Sequence, residues 1–353
     1  MDKQKIIADA RTLKETDFPQ LGSLYRGKVR DNYSAGKNII MIATDRISCF
    51  DHVLNRQIAY KGHVLTEIMC RQGEGVSDII PFHVVARPDP QVVVVRSCNL
   101  YDVEMVVRGY ITGSLWRDYT NPKKGPQKAG EQYGLVLPEG LKESQKFDKP
   151  IITPTTKAKP KPGSAKKHHD VPVTREEIVS PTLLREIEGI EGIKGDLNPF
   201  YIEESKYAEM EERTLAVFKR GQEMASNVGL ILVDTKYEFG DNDGVLTLVD
   251  EVHTPDSSRF WHADTYQAKF EVSGKQKSLS KEFVREWLLA QGYDKEKGES
   301  SLATLTDEVA TETALRYIEL CETITGKPFT PGDMSRPLEE RILAALGDAG
   351  YLK

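Results

Sequence analysis

Residues 229–252 constrain the fold most strongly, because two apolar runs flank the turn sequence Asp241-Asn242-Asp243-Gly244. Aspartate, asparagine and glycine tolerate the backbone angles of tight turns, so turns of this composition join neighbouring antiparallel strands. The stretch therefore predicts a β-hairpin that carries acidic residues at defined places.

Further strands are predicted in the first third of the chain. Residues 23–44 predict a second hairpin, because two β-prone runs are separated by the turn cluster Ser34-Ala35-Gly36. Residues 83–87, 92–97 and 103–110 are also β-prone, with prolines breaking the chain between them. We expect an antiparallel sheet in this region.

Helices are predicted downstream. Residues 207–225 carry apolar side chains at helical spacing, which predicts a long amphipathic helix that covers a sheet. Beyond Ser280 the pattern is helical again, at residues 283–288, 309–324 and 341–346.

With 353 residues, the chain is too long for one small core, so two domains that share a cleft, or one domain with appendages, are expected. We divide it into a β-rich N-terminal lobe at residues 1–105, a larger lobe at 106–262 and a mainly helical region at 263–353. Residues 157–175 are rich in proline and lysine without apolar periodicity, which predicts a mobile loop. Thr174, followed by two glutamates, is expected to cap a helix at the end of that loop.

The composition excludes several classes of protein. Lysine and arginine number 48 and aspartate and glutamate 54, a formal net charge of −6, which argues against a nucleic-acid partner but leaves room for a local basic pocket. No apolar run approaches the roughly 20 residues of a membrane span, and the N-terminal residues are charged where a secretory signal is apolar. We therefore expect a cytoplasmic protein whose four cysteines are reduced thiols rather than zinc ligands.

Glu238 and Asp250 lie near opposite ends of the predicted hairpin, so antiparallel pairing brings their carboxylates together. Adjacent carboxylates repel each other, whereas a shared Mg²⁺ that also binds phosphate oxygens offsets the repulsion. The alternative is a surface network in which Lys236 or Arg259 neutralises the pair. The residues alone leave both interpretations open.

Gly27 and Lys28 lie between β-prone runs, where backbone amides and an ammonium group can approach a phosphate. Their spacing matches neither the P-loop nor the dinucleotide fingerprint. A hairpin glycine beside a solvated lysine is therefore the alternative interpretation.

Two further blocks carry dense polar groups. In VVRGYITGSLW, Arg108 and Ser114 approach a predicted helix start, where exposed amides, a hydroxyl and a guanidinium suit a carboxylate or phosphate. An N-capping serine with a solvated arginine explains the same residues. In DRISCFDH, Asp45, Arg46 and Ser48 are placed to bind a small polar ligand, although an ordinary loop is also compatible.

Eight sequence blocks follow one another along the chain: LYRGKVRDNY, ATDRISCFD, YKGHVLTEI, VVRGYITGSLW, LPEGLKES, ITPTTKA, LVDTKYEFG and LVDEVHTPDSSRFW. In this order they resemble the SAICAR synthetase (phosphoribosylaminoimidazole-succinocarboxamide synthase) family. Together they cover most of residues 22–262, and the last two blocks are especially specific to this family.

The resemblance implies an α+β fold with two lobes and an ATP cleft, related to ATP-grasp and kinase-like folds and followed by C-terminal helices. The cofactors it implies are ATP and Mg²⁺. By matching position, it assigns ATP binding to Gly27, Lys28, Glu104 and Lys236, magnesium binding to Glu238 and Asp250, substrate binding to Asp45, Arg46, Ser48, Arg108, Ser114 and Arg259, and catalysis to Lys236, Arg259, Lys142 and Asp148.

The activity implied by the resemblance is the ATP-dependent condensation of carboxyaminoimidazole ribonucleotide (CAIR) with L-aspartate, through an acyl phosphate, in de novo purine biosynthesis. The products are SAICAR, ADP and phosphate. A small-molecule kinase of related fold is the alternative, and a nucleotide-binding regulatory protein without turnover is a third possibility. A kinase leaves phosphate on its acceptor and needs no aspartate. The expected partners are small molecules, and the sequence leaves the oligomeric state open.

Overall fold

The structure, a computed structural model, describes residues 2–123, 125–157, 170–187, 190, 192–294 and 297–352. Its helices are α1 (Lys3–Ala8), α2 (Lys61–Val76), α3 (Gly113–Thr120), α4 (Gly125–Glu131), α5 (Arg175–Val179), α6 (Glu204–Ser226), α7 (Ala263–Val272), α8 (Glu282–Ala290), α9 (Asp307–Thr325) and α10 (Leu338–Asp348), with short 3₁₀ helices at Pro19–Leu21 and Gly298–Ser301. Its strands are β1 (Ser23–Arg26), β2 (Arg30–Ala35), β3 (Asn38–Ala43), β4 (Arg46–Cys49), β5 (His52–Gln57), β6 (Val84–Asp89), β7 (Val92–Arg96), β8 (Asn99–Tyr110), β9 (Lys146–Ile152), β10 (Thr155–Thr156), β11 (Val171–Pro172), β12 (Leu230–Asn242), β13 (Val245–Val249) and β14 (Ser258–His262).

The first sheet is antiparallel, with the strand order β1-β2-β3-β7-β6. Because side chains alternate along a strand, Ile40 and Ile42 pack on one face, while Met41 packs with Val93 on the other. The apolar runs at β3 and β7 are therefore buried on both faces. The antiparallel sheet predicted for this region is confirmed for its other strands, but residues 103–110 were wrongly included, because they are part of β8 in a second sheet.

The hairpin predicted at residues 23–44 is also confirmed, as β2 and β3. Ala35 pairs with Asn38 across its turn, and Gly36 supplies the left-handed backbone there with φ of +67°. The first β-prone run is itself folded into two strands, because β1 and β2 pair around a turn at residues 27–29.

The second sheet has the order β11-β10-β8-β12-β13, with β14 also on β12 and β9 also on β8. Strand β12 is long enough to pair with β14 along its first half and with β13 along its second. Asn242 pairs with Val245, so the turn residues are Asp243 and Gly244, with φ of +54° and +87°. Both positive angles belong to the tight hairpin turn that an Asp-Gly pair favours. The hairpin predicted at residues 229–252 is confirmed.

Helix α6 covers the second sheet, as its helical spacing predicted. Its buried face packs against β12 and β8. The residues of this face recur every three or four positions, and they are Tyr207, Met210, Thr214, Val217, Phe218, Gly221 and Ala225.

The C-terminal helices predicted beyond Ser280 are present as α8, α9 and α10. Helix α9 packs on α2 and α1. Helix α10 packs on the first sheet through Leu338, Ile342 and Leu346. The C-terminal region thus contacts both parts of the molecule, and the division at residues 105 and 262 stays a proposal.

The predicted mobile loop at 157–175 falls largely on residues 158–169, which lie outside the described residues. Its two ends pair with each other, since Thr156 of β10 faces Val171 of β11. Thr174 caps α5 as predicted: its hydroxyl accepts the Glu177 N–H at 3.1 Å, and the Glu177 carboxylate accepts the Thr174 N–H at 2.8 Å. This reciprocal pair is a capping box.

Within the described ranges, no helix combines the length and the apolar character needed to cross a membrane.

Candidate active site

Three carboxylates, which we call the carboxylate cluster, approach one another on the second sheet: Glu104, Glu238 and Asp250. Glu238 on β12 faces Glu104 of β8 on one side and Val249 of β13 on the other. Asp250 directly follows β13 and has φ of +60°. Burial, and then the charge of Asp250, raises the pKa of Glu238. The proximity of Glu238 and Asp250 that the hairpin predicted is confirmed.

Two lysines neutralise part of the carboxylate cluster. Lys236 Nζ lies 2.5 Å from Glu104 Oε1 and 3.4 Å from Glu238 Oε1, and Lys157 pairs with the other Glu238 oxygen. Although burial alone lowers the pKa of Lys236, the charges of Glu104 and Glu238 raise it well above its usual value. Lys236 therefore stays protonated at neutral pH.

Arg30 joins the first sheet to the carboxylate cluster. From β2 its two terminal nitrogens contact Asp250 and Glu251, and the Thr254 hydroxyl also donates to Glu251. Sequence reasoning missed Arg30 and Lys157, because only the tertiary fold brings them here. It also missed Glu251, although this residue directly follows Asp250 in the chain. Arg30 and Asp250 are 220 residues apart in the chain.

Of the two cations named in the alternative interpretation, Lys236 contacts Glu238, and both interpretations of the carboxylate pair stay predictions. Arg259 contacts Asp234 and Glu282 instead.

The carboxylate cluster has the oxygen donors that Mg²⁺ prefers. In nucleotide sites Mg²⁺ is held by one or two carboxylates, with phosphate oxygens and water as its other ligands. Glu238 and Asp250 fit this requirement, because adjacent carboxylates repel each other and gain from a shared cation. In this structure, Arg30 contacts Asp250 and two lysines contact Glu238. In the part of the chain that the structure describes, no three His, Cys, Asp or Glu side chains are grouped to hold a metal ion.

Arg46 braces the turn at residues 27–29. Its Nε donates to the Lys28 carbonyl at 3.1 Å, its Nη2 donates to the Gly27 carbonyl at 3.0 Å, and the same nitrogen lies 2.8 Å from Asp31 Oδ1. The Lys28 ammonium contacts Asp51, at the tip of the β4–β5 hairpin. Because half of the Lys28 side chain is exposed, a phosphate can reach it on this braced turn.

Asp45 is buried and fully engaged by backbone amides. Its Oδ2 accepts the Leu13 N–H at 2.7 Å and its Oδ1 accepts the Gly62 N–H at 2.9 Å, while burial raises its pKa to about 6. This geometry favours a positioning role for Asp45 and Arg46 over the direct substrate contact expected from the sequence. Ser48 is also buried, and its substrate contact stays a prediction.

Asp234 contacts two of the predicted substrate-binding residues. Its Oδ2 lies 3.3 Å from Arg108 Nη1 and 2.5 Å from Arg259 Nη1, and Arg108 Nη2 lies 3.4 Å from Ser114 Oγ. The structure therefore brings Arg108, Ser114 and Arg259 together. Sequence reasoning missed Asp234, although an acidic residue inside an apolar strand was an available signal.

Further charges extend this group into what we call the arginine network. In this network, six cationic side chains form ion pairs with three acidic ones. The acids are Asp234, Asp256 and Glu282, and the cations are Arg108, Arg117, Arg259, Lys61, Lys281 and Arg285. Because cations outnumber acids in this network, it forms a local basic region. The amino-acid composition left room for such a region despite the negative net charge of the chain.

A small cavity opens within the arginine network. Arg259, Lys281 and Arg285 line it together with Ser257, Ser258 and Ser280. The acids Asp234, Asp256 and Glu282 also line it, and each forms an ion pair with at least one of these three cations. Guanidinium, ammonium and hydroxyl groups are the donors that hold phosphate and carboxylate groups. Sequence reasoning missed Lys281 and Arg285, whose spacing of four residues at the start of α8 places them on one helix face.

Lys142 and Asp148 lie apart from these groups. Both are exposed, Lys142 in the loop before β9 and Asp148 on β9 itself. Among the described residues, neither side chain pairs with the carboxylate cluster or the arginine network, and their catalytic role stays a prediction.

Residues 23–300 match the family model described as SAICAR synthetase. The chain belongs to the SAICAR synthetase family. The match includes every site residue predicted from the sequence, from Gly27 to Arg259. Helices α9 and α10 lie beyond it.

Relatives of the whole chain support the same family. Phosphoribosylaminoimidazole-succinocarboxamide synthase of Bacteroides fragilis is 45% identical over 334 residues, which is 94% of this chain and 96% of the relative. The protein of the same name from Cytophaga hutchinsonii is 41% identical over 335 residues, 94% of this chain and 97% of the relative. The enzyme class predicted from the SAICAR synthetase motifs is confirmed.

Solved SAICAR synthetase structures share the fold. SAICAR synthase from Saccharomyces cerevisiae complexed with SAICAR has a TM-score of 0.69 and 29% identity, covering 91% of this chain and 100% of that one. A type-2 SAICAR synthetase in complex with ADP has a TM-score of 0.59 and 22% identity, covering 88% of this chain and 100% of that one. At 22% identity, the second structure shows a similarity of fold only. The predicted α+β fold of this family is confirmed.

Proposed function

We propose that this chain uses ATP to condense CAIR with L-aspartate, forming SAICAR, ADP and phosphate. The observation that carries the proposal is that one strand presents both parts of the site. Asp234, Lys236 and Glu238 are every second residue of β12, so their side chains lie on the same face of the sheet. Same-face neighbours are about 7 Å apart, so the arginine network and the carboxylate cluster adjoin. A phosphate donor and an anionic acceptor can therefore bind side by side.

The ATP phosphates are proposed to lie between the turn at residues 27–29 and the carboxylate cluster. Lys28 and Lys236 offer ammonium groups to phosphate oxygens, and Glu104 orients Lys236 through its 2.5 Å contact. Glu238 and Asp250 would hold Mg²⁺, which when bound neutralises charge on the phosphoryl group that is transferred. The ADP complex of a structural neighbour supports nucleotide binding by this fold.

CAIR and aspartate are both anionic, so their binding requires a locally positive surface. We propose that the arginine network holds them, with Arg108, Ser114 and Arg259 on the nucleotide. We assign a phosphate group to the cavity beside Arg259, with Lys281, Arg285 and the serine hydroxyls as its donors. The acids that line the same cavity, Asp234, Asp256 and Glu282, would hold these cations in place.

The proposed reaction has two steps. The CAIR carboxylate attacks the γ-phosphorus, the bond from that phosphorus to the ADP oxygen breaks, and an acyl phosphate forms. The aspartate amine then attacks the acyl carbon, phosphate leaves with the bonding electrons, and the amine loses a proton. The residues contribute by aligning the reactants, neutralising charge and excluding water from the acyl phosphate. The proposed substrates are water-soluble metabolites, which supports a cytoplasmic location.

The experiment that tests the proposal measures phosphate release by the purified full chain with ATP and Mg²⁺. CAIR and aspartate are supplied singly and together. We expect release only when both are present, with SAICAR as the product. Release without aspartate, with phosphate left on the acceptor, would identify a kinase, and the absence of release in every mixture would refute turnover.

The carboxylate cluster is tested by Glu238→Gln. Without this charge the pair loses one of its two proposed metal ligands, so kcat should fall by about a hundredfold or more and the Mg²⁺ concentration for half-maximal rate should rise. Asp243→Asn is the matched control, because Asp243 is an exposed carboxylate in the turn of the same hairpin and asparagine tolerates its positive φ. Equal rates for Glu238→Gln and Asp243→Asn would refute the assignment.

A further inference from the structure

Helix α9 reaches the proposed substrate site from outside the residues 23–300 that match the family model. Tyr317 of this helix is completely buried. Its hydroxyl donates a hydrogen bond of 2.8 Å to Asp256 Oδ1. Because a buried tyrosine hydroxyl usually needs a partner, this contact ties α9 to the wall of the cavity within the arginine network.

Asp256 also contacts two lysines. Its other oxygen, Oδ2, lies 2.9 Å from Lys61 Nζ and 3.7 Å from Lys281 Nζ. Burial raises the pKa of Asp256, but the charges of Lys281 and Lys61 and the hydrogen bond from Tyr317 bring it below its usual range. Asp256 is therefore ionised, and its carboxylate can orient the Lys281 ammonium at the cavity.

Arg316, which precedes Tyr317 in α9, contacts a second segment that lines the same cavity. Arg316 Nη1 donates to the Ser278 carbonyl at 2.9 Å, and the Arg316 guanidinium lies 3.9 Å from the centre of the Phe283 ring. These two contacts bracket residues 279–282, the segment that carries Ser280 and Lys281. Adjacent side chains of α9 thus brace the cavity at Asp256 and at the start of α8.

We propose that Tyr317 and Arg316 are positioning residues for the anionic group of the substrate: Tyr317 fixes the Asp256 carboxylate that orients Lys281, and Arg316 fixes the backbone that carries Lys281. Neither residue touches the substrate. The inference rests on the proposed function, because it requires a substrate anion in this cavity. It assigns to the C-terminal region an indirect influence on the binding of CAIR.

The test is steady-state kinetics of the full chain with Tyr317→Phe, varying CAIR, aspartate and ATP in turn. The variant keeps the ring and loses one hydrogen bond, so the KM for CAIR should rise about fivefold. The kcat and the KM for ATP should stay within about twofold, since the ATP site lies elsewhere on β12. A loss of stability alone does not produce this selective change.

Tyr207→Phe is the matched control. It removes the hydroxyl of another buried tyrosine, on α6 and outside both parts of the site, and should leave all three KM values unchanged. An unchanged KM for CAIR in folded Tyr317→Phe, or the same change in Tyr207→Phe, would overturn the inference. If Tyr317→Phe does not fold, Arg316→Gln decides in its place: a selective rise in the KM for CAIR supports the inference, and an unchanged KM overturns it.

The wild-type assay separates the two proposals. Absence of SAICAR formation by the wild-type chain would overturn the proposed function and this inference together. Normal wild-type turnover with no effect of Tyr317→Phe would overturn the inference alone.

Discussion

Arg259 can occupy its place in the arginine network because residue 113 is a glycine. A Cβ at Gly113 would lie 2.2 Å from Arg259 Nη2, far inside contact distance, and the φ of +61° at this position also disfavours a side chain. Gly113→Ala is therefore expected to displace the guanidinium from Asp234 and to raise the KM for CAIR about tenfold. Steady-state kinetics at saturating ATP measures the change.

Gly229→Ala is the control for Gly113→Ala, because it introduces the same backbone strain without a steric clash. Gly229 has a similar φ of +73°, but no atom within 4 Å would meet its Cβ. Both variants carry a backbone penalty of roughly 1 kcal/mol, and only Gly113→Ala disturbs Arg259. A KM for CAIR that rises equally in the two variants would contradict the role of Gly113.

Among the elements, β12, α2 and α6 meet at a buried histidine. His253 Nε2 lies 2.5 Å from the Tyr237 hydroxyl, and His253 Nδ1 lies 3.0 Å from Gln72 Oε1. Gly221 of α6 leaves room for the ring, since a Cβ there would lie 2.3 Å from His253 Cε1. Burial lowers the pKa of His253 to about 3, so the ring is neutral and serves packing rather than catalysis.

This contact predicts how stability depends on pH. An unfolded histidine titrates near pH 6.5, so at lower pH the unfolded chain binds a proton that the folded chain binds only near pH 3. The stabilisation is therefore present above pH 6.5 and lost as the pH falls. His253→Asn should reduce the slope of unfolding free energy against pH by up to about 1.4 kcal/mol per pH unit between about pH 6 and 4.

Urea unfolding of the wild type and His253→Asn at several pH values measures the two slopes. Asparagine suits the positive φ at this position, which is +50°. His63 and His83, whose pKa values burial lowers to about 4, contribute in both proteins and cancel in the comparison. Identical slopes would show that His253 does not titrate differently in the folded and unfolded chains.

In the whole molecule, the C-terminal helices connect the two sheets. While α9 contacts the wall of the cavity within the arginine network, α10 covers the first sheet, and Arg341 of α10 forms a bidentate pair with Asp89 of β6 at 2.8 and 3.0 Å. Ile342 is completely buried in the same contact. The chain end thus contributes to the core of its N-terminal half.

Ile342→Ala tests this contribution to the core. The truncation leaves a cavity between α10 and the first sheet, and the free energy of unfolding should fall by about 2–5 kcal/mol. Glu340→Ala, on the exposed face of the same helix, should change it by less than about 0.5 kcal/mol. Chemical denaturation measures both, and a loss in Ile342→Ala no larger than in Glu340→Ala would show that α10 is not part of this core.

The sequence by itself determined the local elements and the family. The turn at Asp243-Gly244, the β-prone apolar runs of β3 and β7, the helical spacing of α6 and the cap at Thr174 could all be predicted, because each depends on residues a few positions apart. The approach of Glu238 to Asp250 could be predicted for the same reason, since one hairpin carries both residues.

Only the tertiary structure decided which distant residues complete the site. Arg30 reaches Asp250 across 220 residues of chain, and Tyr317 reaches Asp256 from a helix beyond the residues that match the family model. Local patterns report which face of an element is apolar, but not which partner that face meets. Sheet-to-sheet and helix-to-sheet packing selects the partner, so the surroundings of the carboxylate cluster and the walls of the cavity follow from the whole fold.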